Sequence, residues 1–133
     1  MPLLRTQLYY LAIALLLTHE MDAVMEAEWR LLFGLRGLSD AVAYPLFLLL
    51  HVPVVVLLFW LAHHPRDALR EGFRSASAGF LIVHAGIHLH VSGAPDYGFE
   101  SFVSQLLIFG AALVGLAYVA LSVLDRNEDT HRG

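Results

Sequence analysis

Four stretches of this chain read as membrane-spanning helices, and only short polar links separate them. They run from about Leu3 to Val24, Asp40 to Ala62, Ser75 to Val91 and Phe99 to Leu124. A spanning helix needs about 20 mostly apolar residues. The whole chain has 133 residues, of which 58% are hydrophobic and 15% charged. A soluble domain carries roughly 25% charged residues, and one this small has too little interior to hide so much apolar surface. The expected fold is all-α: a four-transmembrane-helix bundle in one domain over residues 1–124, with a frayed polar tail over 125–133.

The first stretch, with Arg5 ahead of an apolar run, has the outline of a signal peptide. It ends in Thr18-His19-Glu20-Met21-Asp22 rather than small residues at a cleavage site, so an uncleaved helix is expected. Gly34, Gly37 and Ser39 mark the first link, with Ser39 or Asp40 as N-cap. His63-His64-Pro65-Arg66-Asp67 opens the second, where Pro65 suits a first helical position and Arg66, Arg70 and Arg74 line one solvated face. A turn-rich run from Ser92 to Gly98 forms the third.

All eight basic residues are arginines. Arg5, Arg66, Arg70, Arg74, Arg126 and Arg132 fall on one side of a four-span topology, and Arg30 and Arg36 on the other. Cytoplasmic loops collect positive charge, so both termini are placed in the cytoplasm, with the protein multi-pass in the inner (plasma) membrane. The net charge of -4 argues against a nucleic-acid partner. Without cysteine, disulfides, thiolate metal sites and Cys nucleophiles are excluded.

Eight histidines are unexpected in so apolar a chain. Unpaired polar groups in a bilayer are costly, so shared faces and depths among them are informative. His19, Asp22, Glu26 and Arg30 follow at helical spacing and form one stripe if the first helix continues through Trp29, which then serves as an interfacial anchor. On that reading Glu20 and Glu28 point elsewhere, and Arg30 pairs with Glu26. His84 and His88 stack on one face of the third span, with His90 on another. Tyr44 and His51 share a face of the second, Ser101 and Gln105 of the fourth. At about 1.5 Å per residue, His19 lies roughly 8 Å below the outer surface, His88 roughly 6 Å, His84 and Gln105 roughly 8 to 12 Å and His51 roughly 16 Å. Polar side chains from all four spans thus gather in the outer half of the bilayer, and the inner half holds almost none.

Imidazole plus carboxylate suits a divalent transition metal, with zinc or iron foremost. The expected ligands are His19, His84 and His88, with Asp22 or His51 as a fourth. Glu26 is a candidate general base or orienting acceptor, and Tyr44 a candidate proton donor. His51 with His84 is the alternative pair for haem. The plainer alternatives are that membrane histidines bond neighbouring helices and that Asp22 and Glu26 sit in headgroup water. His63 and His64 read as interfacial residues, and Ser101 and Gln105 as helix-packing hydrogen bonders. His19-Glu20 begins a zinc-protease motif, but Ala23 ends the match; no nucleophile elbow, P-loop or dinucleotide fingerprint occurs.

His19-Glu20-Met21-Asp22-Ala23 followed by Glu28-Trp29-Arg30 resembles a family of small uncharacterised bacterial four-helix membrane proteins carrying H-E-x-D-A…E-W-R. A weaker likeness is to the membrane family named for an H-x-x-E-E motif, from which Asp22-Ala23 departs. The first resemblance implies a membrane fold and no activity. The function classes left open are a metal-binding membrane protein, including a metal-dependent hydrolase or oxidoreductase acting on a lipid or other apolar substrate; a haem protein; a proton or metal transporter, ranked low for the dry inner half; and a small non-catalytic subunit of a membrane complex. A homo-oligomer is compatible with each.

Overall fold

The computed structural model describes residues 2–132; the side chains of Pro2, Arg126 and residues 128–132 fall outside that description. It is all-helical. Helix α1 spans Pro2–Met25, α2 Asp40–Ala62, α3 Asp67–Val91 and α4 Phe102–Arg132, with a single 3-10 turn at Glu28–Arg30. Among the described residues, three segments are long and apolar enough to cross a membrane: Leu3–Met25, Asp40–Ala62 and Phe102–Asp125. Helix α3 does not meet that measure. Its first two turns carry Asp67, Arg70, Glu71 and Arg74, so it begins eight residues ahead of the apolar stretch that marked it in the sequence.

Helices α1 and α3 both pack on α4. Small residues make this close approach possible, as they do between helices in lipid. Ala12, Ala78 and Ala111 are buried, and a Cβ on Gly115 would stand 2.6 Å from the Ala78 carbonyl oxygen. Helix α2 packs on α3 and on the 3-10 turn, and it meets α1 through longer side chains such as Glu20 with His51 and Tyr10 with His63. Much of α2 faces outward, with Leu49, Val52, Val54 and Val56 exposed.

The ends of the helices depart from expectation in four ways. Helix α1 does not continue through Trp29. It stops at Met25, and Ala27 takes a left-handed conformation (φ 54°, ψ 46°) that reverses the chain into Glu28–Arg30. Trp29 is consequently buried rather than an interfacial anchor, and its Nε1 donates to Asp40 Oδ1 at 2.9 Å. Arg30 pairs with Asp40, not Glu26. Helix α4 carries on through Arg132 rather than fraying after Leu124, since no Gly or Pro interrupts it there; Ser101 Oγ accepts from the Ser104 N–H at 3.0 Å, as an N-cap does.

The opposite end of the bundle is more polar than expected. Arg74 is buried rather than solvated: its Nε donates to Ala62 O at 2.9 Å and its guanidinium lies over the Tyr9 ring. Arg5 pairs with Glu71 and Asp125, and Tyr9 bonds Ser77 at 3.3 Å. The proposed contributions of the Arg126 and Arg132 side chains to this end lie outside the described residues.

Candidate metal centre

At the end where α1 and α3 finish, three imidazoles meet. His19 from α1 and His84 and His88 from α3 have ring centroids 5.0, 5.0 and 4.7 Å apart in the three pairings. The four-residue spacing puts His84 above His88, and the packing of both helices on α4 brings His19 level with them. The reversal at Ala27 then folds Glu28 back beneath the imidazoles. Its Oε2 lies 3.7 Å from His19 Nε2 and its Oε1 3.9 Å from His88 Nε2. One ligand atom from each of His19, Glu28, His84 and His88 lies within 4.8 Å of all the others.

Glu28 therefore belongs to the cluster and does not point away from it. His19, Glu28 and His88 are 1%, 8% and 2% exposed, while His84 is half-buried. Burial, together with the charges of Glu20 and Asp22, pushes the Glu28 carboxyl up to about 7, against the opposing pull of His51. Phe99 closes the cluster from the third link, its ring 5.4 Å from His19 and 4.8 Å from His88.

The donor set suits a metal ion. Both ring nitrogens of His19, Nδ1 of His88, Nε2 of His84 and Oε2 of Glu28 are buried without a hydrogen-bond partner. Buried polar atoms are ordinarily satisfied, so this many orphans on four neighbouring residues call for an explanation. A tetrahedral ion with ligands at about 2.0–2.1 Å holds them roughly 3.3 Å apart. The four atoms, now within 4.8 Å of one another, would have to draw in by up to about 1.5 Å to reach that spacing.

The other candidate residues are placed differently. Asp22 is half-buried on the same side of α1, its Oδ2 without a partner, but it is not one of the four grouped atoms. The Glu26 carboxylate packs against Gly98 of the third link. Tyr44 is exposed, with its ring against Trp29. His90 is exposed. Ser101 and Gln105 make local bonds, to Ser104 and to the Phe99 carbonyl.

His51 uses both ring nitrogens: Nδ1 lies 2.6 Å from Phe47 O and Nε2 2.8 Å from Glu20 Oε2. A carbonyl only accepts, so Nδ1 must carry a hydrogen. Nε2 and the Glu20 carboxyl then need a proton between them, held by one or the other.

Fold and site together define an all-helical protein with the composition of a membrane protein and a largely buried group of three histidines and one glutamate. Residues 5–125 match the family of unknown function DUF6713, and the chain belongs to that family. No curated protein and no solved structure matches it.

Proposed function

We propose that this is an integral membrane protein whose four helices all lie in the bilayer, with both termini in the cytoplasm of the cell's plasma membrane, and that His19, Glu28, His84 and His88 hold a divalent transition metal in its outer half. The observation that carries the reading is the convergence of four ligand atoms within 4.8 Å, on residues that each have a buried polar atom without a partner. Neutral imidazoles and one carboxylate suit zinc or iron. What supports including helix α3 despite its polar start is that its Glu71 sits at the end where Arg5 and Asp125 also gather, as charges at a membrane surface would.

Metal-dependent hydrolysis or oxidation of an apolar substrate is compatible with this centre. In that chemistry the bound ion would polarise a substrate oxygen or activate water, and Phe99 would limit access from the third link. Haem is less well supported, because the pair considered for it includes His51, whose two nitrogens are already engaged.

Cobalt(II) titration of purified protein tests the metal reading. Visible d–d bands that saturate with added cobalt, and are lost in His84→Ala, are expected. A spectrum no different from cobalt in buffer would remove the proposal.

A further inference from the structure

The cluster is not sealed on all sides. A cleft of ≈280 Å³ opens between α2 and α3 and has Glu20, Glu28, His51 and His84 among its lining residues. These put polar groups on its floor beside the buried Phe47 ring, and Glu28 Oε2 and His84 Nε2 there are buried and lack partners. Its rim is apolar: Leu50 of α2 and Phe80 and Ile87 of α3 line it, and all three are at least half exposed on the outside of the bundle.

In a bundle lying in lipid, that outside is hydrocarbon. A water-soluble molecule would have to cross the apolar rim to reach the floor. An amphiphile would not, because its chain can stay in the bilayer and along the rim while its head meets polar groups. Small-molecule sites run from about 300 to 1,000 Å³. A cleft at or below the low end of that range fits a head group and the first carbons of a chain, the remainder staying in lipid.

The geometry points to this cleft as the lateral entry and binding site for a single-chain amphiphile whose oxygen-bearing head reaches the metal centre. The inference rests on the metal reading given above. The floor supplies the metal and the hydrogen-bonded Glu20–His51 pair to the head group, and the rim supplies a groove for the chain.

Alkyl hydroxamates, which join a metal-binding head to a chain of chosen length, test it. Acetohydroxamic and dodecanohydroxamic acid are titrated into zinc-loaded protein in nanodiscs, beside a zinc titration of the same sample. Leu50→Trp places a wedge in the rim, whereas Leu113→Trp adds the same bulk at an exposed position on α4 that does not line the cleft. Leu50→Trp should weaken the dodecyl compound by about 10-fold or more, the lower range for a side chain forced into a packed contact. It should leave zinc stoichiometry unchanged and acetohydroxamate nearly so, and Leu113→Trp should change none of these. Equal effects of the two tryptophans, or equal loss of the two hydroxamates, would overturn the cleft proposal while zinc binding stood. Failure of wild-type protein to bind zinc would overturn both readings.

Discussion

Glu28 Oε2 lies 3.7 Å from His19 Nε2, although a helix end and a chain reversal separate the two residues. The carboxylate reaches the imidazole because the chain turns back at Ala27, not because the residues share a helical face. Removing this carboxylate should therefore lower metal affinity more than removing that of its half-buried neighbour Glu26. Glu28→Ala is expected to weaken zinc binding by more than about 100-fold, beyond the 10- to 100-fold typical of losing an outer partner. Glu26→Ala, whose carboxylate packs on Gly98, should change it little. Competition titration with a zinc chelator measures both.

The left-handed Ala27 makes a second prediction about the backbone. An L-residue there costs about 1–2 kcal/mol, and glycine removes that strain while adding about 0.5–1 kcal/mol of unfolded-state entropy. Ala27→Gly should be neutral or stabilising by up to about 1.5 kcal/mol with metal binding intact. Ala27→Val, branched at Cβ, should destabilise by about 1–3 kcal/mol and weaken metal binding by misdirecting Glu28. Thermal unfolding in detergent, run with and without zinc, separates the two effects.

Gly115 tests the packing of α3 on α4 away from the cluster. A methyl group there would stand 2.6 Å from the Ala78 carbonyl oxygen, and a backbone atom cannot swing aside. Gly115→Ala should cost about 1–3 kcal/mol and leave metal stoichiometry unaltered. An unchanged melting temperature would mean that the two helices are not so closely packed.

Topology is open to a direct test because the chain has no cysteine of its own. If α3 lies across the bilayer with the rest, Ser39→Cys and Gly93→Cys label from outside intact cells with an impermeant maleimide, and His64→Cys does not. If α3 does not cross, His64→Cys and Gly93→Cys behave alike.

Apolar length and the two histidine spacings made the helices, and the meeting of His19 with His84 and His88, readable from sequence. Three features were not. The reversal at Ala27 carries no glycine or proline, and alanine seldom adopts that conformation, so the pattern favoured a longer helix and turned Glu28 the wrong way. Once the chain reverses, Glu28 joins the imidazoles and Arg30 finds Asp40 across the link, a contact that helical spacing cannot foresee. Its spacing from Arg66 and Arg70 alone predicts a solvated Arg74. Its burial depends on the Ala62 carbonyl and the tyrosine rings, which tertiary packing alone brings to it.

Metal content per chain, measured by inductively coupled plasma mass spectrometry on protein purified without chelators and re-equilibrated with zinc or ferrous iron, bears most directly on the four-ligand centre. Wild type should retain metal through gel filtration in proportion to protein, and His84→Ala and Glu28→Ala should each lose most of it while remaining folded. Wild-type protein that emerges metal-free, or variants that hold as much metal as wild type, would show that the clustered histidines and Glu28 are not a metal site.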